Sequence, residues 1–200
     1  FEIGSMDENA YRANNVYREG SGQLTVKKWL KLEQVDGKYV YPAVTVVLSR
    51  SYTSYSETGA ATEKDEGVVA TYTWTADDWE VASTGADENG WVSLTHTFGD
   101  LERYAPNGSE YTYTITEDKA NLGGYDTWAV ADDVANSPTE TAMSEENKKN
   151  SIEIGNEPKE DDTEVDATFI NQYIDEPGPD LETVTLTGTK VWDDWNNMNG

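Results

Sequence analysis

Apolar and polar residues alternate with period two along much of the chain, whereas runs with helical spacing are nearly absent. Val44, Val46 and Leu48 fall on one face of a strand; Ala70, Tyr72 and Trp74 fall on one face of a second, with Thr71 and Thr73 between them; Val92, Leu94, His96 and Phe98 share a face of a third. Each run reads as a half-buried β-strand rich in β-branched and aromatic residues. The pairs Asp36-Gly37 and Asn89-Gly90 supply the left-handed conformations of tight hairpin turns, so the runs are read as antiparallel neighbours. The predicted class is an all-β sandwich.

The pattern thins between Asp126 and Asp166. Thr127 to Ala131 is compatible with a short strand, but Ser137 to Asn150 and Glu157 to Asp166 are polar and acidic and read as a solvated excursion. The stretch DEPGPD, from Asp175 to Asp180, has the composition of a stiff interdomain linker. An internal repeat frames these segments. Phe1-Glu2-Ile3-Gly4 followed by Asn15-Val16-Tyr17 is echoed by Ile152-Glu153-Ile154-Gly155 followed by Asn171-Gln172-Tyr173, and Lys27-Lys28-Trp29 by Lys190-Val191-Trp192. The same junction thus occurs twice. Residues 1–19 are expected to close one repeat, 20–175 to make a complete domain, 176–180 to be a linker and 181–200 to open the next repeat.

Alternation also aims polar groups inward. Tyr111, Tyr113, Ile115 and Glu117 share a face, opposite Thr112, Thr114 and Thr116, which predicts a buried carboxyl; the same count groups Asn171 with Phe169 and Tyr173 and predicts a buried amide. Each costs a few kcal/mol unless a partner is found, so a third polar group is expected nearby. A lysine on the opening strand is the candidate, and two arguments about it conflict. Alignment on the tryptophan of the second copy, where Lys190 shares a face with Val184, Leu186 and Trp192, favours Lys27. Strict alternation instead groups Lys28 with Leu24, Val26 and Leu30. Lys27 is the preferred assignment and Lys28 the alternative.

Four motifs occur in order: a Lys-x-Trp opening strand, Pro42-Ala43-Val44-Thr45-Val46, the Tyr-x-Tyr-x-Ile-x-Glu strand ending at Glu117, and a closing Phe-x-Asn-x-Tyr from Phe169 to Tyr173. In this the chain resembles the collagen-adhesin B-type domains of Gram-positive surface adhesins and pilins. The resemblance implies an immunoglobulin-like β-sandwich carrying an intramolecular isopeptide bond between the first-strand lysine, Lys27 or Lys28, and Asn171. Glu117 would be the proton shuttle. Burial disfavours both the charged ammonium and the charged carboxylate, a neutral amine is nucleophilic, and the strands supply proximity. Such an event is single-turnover, so the domain is not expected to be an enzyme. Asn15 and Lys190 would lack their partner strands in this stretch and stay unpaired. The plainer reading is a structural Lys–Glu ion pair with Asn171 capping a turn.

Composition narrows the functional classes. With 14 Lys+Arg against 39 Asp+Glu, the net charge of −25 excludes a nucleic-acid or anionic-membrane surface. No window has the apolar run of a membrane helix and no leader is evident, so the segment reads as a soluble piece of a longer chain. With no cysteine, reinforcement outside the cell has to come from other chemistry. His96 is the sole histidine, and the DDWNNMNG segment from Asp193 to Gly200 breaks the ligand alternation of a calcium loop at Met198, so neither a metal site nor a cofactor is expected. Val40-Tyr41-Pro42 is followed by Ala43 rather than a lysine, so a sortase-type linkage motif is not inferred. The expected role is a stalk or pilus repeat at a Gram-positive cell wall, with adjacent repeats of the same polypeptide as partners and a host protein or glycan contacted through other domains. A carbohydrate- or host-protein-binding module is the alternative, with Trp79 and Trp91 as candidates for an exposed stacking platform. A hydrolase ranks last, because no carboxylate pair has a distinguishing context.

Overall fold

Two four-stranded sheets face each other across one aromatic-rich core. A computed structural model describes residues 21–155 and 164–174. The strands are β1 (Ser21–Lys31), β2 (Glu33–Val35), β3 (Lys38–Val40), β4 (Val44–Tyr55), β5 (Ala61–Trp74), β6 (Trp91–Glu102), β7 (Tyr111–Asp118), β8 (Tyr125–Val130), β9 (Ser151–Ile154) and β10 (Ala167–Tyr173), with one helix, α1 (Ala76–Ser83). One sheet has the order β6-β1-β10-β8, the other β5-β4-β7-β9, and β2 and β3 form a separate ribbon. The protein is an all-β sandwich. Residues 1–19, the linker 176–180 and residues 181–200, with Asn15 and Lys190, lie outside the described residues.

The period-two runs become strands because their apolar positions fill the space between the sheets. Leu24, Val26 and Leu30 of β1, Val44, Val46 and Leu48 of β4, Tyr111, Tyr113 and Ile115 of β7 and Phe169 of β10 are buried together. Full burial of a side chain of this size contributes roughly 1.5–3 kcal/mol. Asp36 and Gly37 adopt φ values of 53° and 74° and turn β2 into β3 as expected. Asn89-Gly90 does not join two strands. It closes the connection from α1 into β6, with Gly90 N–H donating to the Asp87 carbonyl.

Helix α1 is absent from the periodicity because it is short and buries one residue, Trp79. Its signal is local: Thr75 caps it, and the Thr75 N–H donates to Asp78 Oδ2 at 2.7 Å, a reciprocal capping box.

The first and last strands of the sandwich, β1 and β10, are paired in parallel, with Lys28 opposite Phe169 and Leu30 opposite Asn171. β10 is in turn antiparallel to β8, with Asn171 opposite Thr127 and Ile170 opposite Trp128. Parallel neighbours need a long crossover, and here almost the whole domain supplies it.

The stretch between β8 and β9 corrects the expectation of a solvated excursion for Ser137 to Asn150; of the second acidic run, residues 157–163 lie outside the described residues. The stretch before β9 folds over the outer face of the β6-β1-β10-β8 sheet, where Trp29, Trp91, Trp128 and Ile170 are buried under Val134, Ala142 and Met143. Trp29 Nε1 donates to the Val134 carbonyl at 2.8 Å, Thr168 Oγ1 donates to the Asp132 carbonyl at 2.7 Å, and Lys148 pairs with Asp126 at 2.7 Å. Alternation puts Ile170, between the inward-facing Phe169 and Asn171, on this outer face. An apolar face on both sides of a strand requires a cover on both sides, and the cover is too irregular to show a period.

Candidate functional site

β1, β7, β8 and β10 each contribute one polar residue to the middle of the core. Lys28, Glu117 and Asn171 are 0% exposed and Thr127 1%. Lys28 and Asn171 come from neighbouring parallel strands of one sheet, and Thr127 lies across from Asn171 on β8. Glu117 reaches them from the opposite sheet. Its backbone is held at both ends, since Glu117 N–H donates to the Asn150 carbonyl at 2.8 Å and Asn150 Nδ2 donates to the Glu117 carbonyl at 3.0 Å.

The Glu117 carboxyl bridges the other groups with its two oxygens. Lys28 Nζ lies 2.7 Å from Oε1. Oε2 accepts from Asn171 Nδ2 at 2.8 Å and from Thr127 Oγ1 at 3.2 Å. Asn171 Nδ2 also donates to Thr127 Oγ1 at 2.8 Å. Nζ and Oε1 meet as a fully buried ion pair, and Asn171 Oδ1 is left with no hydrogen-bond partner. Burial lowers the Lys28 pKa from 10.5 to about 8, and the neighbouring Glu117 carboxylate, which favours the ammonium, offsets only part of that. Near neutrality the buried amine is thus far closer to its neutral, nucleophilic form than a surface lysine would be.

Lys27, the preferred lysine of the sequence reading, is not in this cluster. Its side chain leaves the other face of β1 and pairs with Asp133 of the covering segment. Strict alternation prevails because β1 holds an uninterrupted ladder from Leu24 to Lys31 against β6, with no bulge in that stretch to change faces. Alignment on the tryptophan misleads because Trp29 packs on the outer face, in the second apolar cluster. Glu117 and Asn171 lie where alternation put them. Thr127 was missed as a site residue; its signal was the count along Thr127 to Ala131, which places Thr127 and Ala129 on one face.

The other candidates separate from this cluster. Trp79 and Trp91 are buried, at 0% and 4% exposure, so neither presents a stacking platform. His96 stacks on Tyr72 at 3.5 Å and meets the edge of Phe98 at 4.7 Å, and burial pushes its pKa down. Among the described residues there is no group of three His, Asp or Glu side chains arranged to hold a metal ion.

The profile of the Cna protein B-type domain matches residues 24–141. The chain belongs to this family. The matched stretch of the Cna B-type domain contains Lys28, Glu117 and Thr127 and ends before β10, so Asn171 enters the cluster on the evidence of the fold alone. No curated protein and no solved structure matches the chain.

Proposed function

We propose that this Cna B-type domain is a load-bearing spacer of a Gram-positive surface protein, exposed outside the cell and flanked by further repeats of its own polypeptide, and that it is locked by a self-formed amide between Lys28 and Asn171. The observation that carries the reading is the fully buried Lys28–Glu117–Asn171 group, drawn from the first, seventh and last strands of the sandwich. A buried ammonium–carboxylate pair is a poor source of stability on its own, because desolvation takes back most of the attraction. Conversion to an amide removes the charge.

The bridging carboxyl gives the reaction a balanced route. Proton transfer within the pair yields a neutral Lys28 amine and a protonated Glu117. The Nζ lone pair attacks Asn171 Cγ; one Nζ proton passes to Glu117 while the carboxyl proton passes from Glu117 to Nδ2. The Cγ–Nδ2 bond breaks with its electrons on nitrogen, and ammonia leaves. Glu117 ends with one proton, as it began, and the event happens once per chain, so the domain is not an enzyme in the turnover sense.

Parallel pairing of β1 with β10 suits the mechanical role. Tension pulling residue 21 and residue 174 in opposite directions would shear these two strands, and a Lys28–Asn171 bond would carry that load covalently. By the loop-entropy relation used for disulfides the closure is also worth about 5 kcal/mol against the unfolded chain. The test is the intact mass of the purified chain. The wild type should be lighter than its sequence by one ammonia and Glu117→Ala should have the full mass; a wild type of full mass would sink the reading.

A further inference from the structure

The Asn171 amide is fixed in one of its two possible orientations, and the cause is a hydroxyl. Thr127 Oγ1 has a single proton, which it donates to Glu117 Oε2. Only lone pairs of that oxygen remain to face Asn171, so the amide turns its nitrogen inward and gives one N–H to Thr127 and the other to Glu117, each at 2.8 Å. Asn171 Oδ1 is left with no partner. If the amide were reversed while the carboxyl is ionised, its oxygen would confront two oxygens that have no proton for it. Thr127 is 1% exposed, so water does not replace the hydroxyl.

We propose that Thr127 is a third participant in amide formation: its hydroxyl holds the Asn171 nitrogen against the Glu117 oxygen that protonates it on departure. This rests on the Lys28–Asn171 reading above. The contact matters because protonating the leaving nitrogen is the step that turns an amide into a usable acyl donor, and it requires the acid to lie at nitrogen rather than at Oδ1.

The experiment follows ammonia loss by intact mass in the full 200-residue chain made by cell-free translation, sampled from synthesis onward at a series of pH values. Thr127→Val keeps the side-chain shape and removes the hydroxyl; Thr127→Ser keeps the hydroxyl. Valine should slow the loss by about tenfold or more, the kinetic equivalent of one buried hydrogen bond. Serine should restore the rate. Rates are compared for variants whose tryptophan fluorescence shows the native core, with Thr127→Ala used where valine does not fold. A hydroxyl-free variant reacting at the wild-type rate overturns the role of Thr127 alone. A wild type that never loses ammonia overturns the cross-link reading itself.

Discussion

The two faces of the β6-β1-β10-β8 sheet are built from alternate residues of the same strands and do opposite things. On the inner face Lys28, Asn171 and Thr127 gather around Glu117; on the outer face their sequence neighbours Trp29, Ile170 and Trp128 are buried beneath Val134, Ala142 and Met143. Trp29, Ile170 and Trp128 lie side by side across β1, β10 and β8. The outer cluster therefore presses from behind on the three strands that present the polar groups. Apolar packing fixes the strands, and the fixed strands hold the polar groups within reaction distance. The faces have separate jobs: without the outer cover the strands would present a water-exposed apolar face, and without the inner cluster the sheet would be ordinary packing.

The sharpest break in this comparison comes from force. In single-molecule pulling between the ends of the sandwich, the wild type should yield almost no extension from the chain between Lys28 and Asn171, whereas Glu117→Ala should yield nearly all of it. Equal extension in both would take the mechanical role away from the inner face. The outer face is expected to act through stability alone. Trp128→Ala, made in a Glu117→Ala background so that no cross-link masks the result, should cost about 3–5 kcal/mol in denaturant unfolding. With Glu117 intact it should still lose ammonia. Complete failure to react in a folded Trp128→Ala chain would show that the faces are not separable in this way.

The pH response distinguishes the bridging carboxyl from simple attack by a free amine. The ion pair and the neutral pair hold the same number of protons, so their interconversion is independent of pH. Above about pH 8 Lys28 loses its proton outright, so the carboxyl enters the step without one and must first take it from the attacking amine. The rate of ammonia loss should therefore be level below about pH 8 and fall above it. A rate that climbs through that range would mean that free amine is all the reaction needs.

The smallest effect is expected at the residue next door. Lys27→Ala removes a partly exposed pair with Asp133 and should change stability by less than about 1 kcal/mol, with the cross-link formed in full. A lost cross-link there would return the nucleophile to Lys27.

The inner face was largely legible in the sequence, and the outer face was not. Strand alternation buried Glu117 and Asn171 correctly and also indicated Lys28; the error lay in letting a tryptophan alignment override that count at Lys27. Period-two patterning reports which face a residue occupies but not what covers it, so Ile170 and Trp128 could be placed outside without any sign that the acidic stretch after β8 returns over them. Val134, Ala142 and Met143 are three apolar residues spread among polar ones, with no spacing to find. Helix α1 escaped for a related reason, since one buried tryptophan in eight residues makes no stripe, although the Thr75–Asp78 pair marked its start.

Peptide mapping of the native chain tests the central claim most directly. A tryptic digest followed by tandem mass spectrometry should contain one branched species in which Lys28 is joined to Asn171, lighter than its two parent peptides by one ammonia. That species should be missing from Glu117→Ala. Linear peptides of full mass bearing unmodified Lys28 and unmodified Asn171 in the wild type, or a branch that starts at Lys27, would contradict the account.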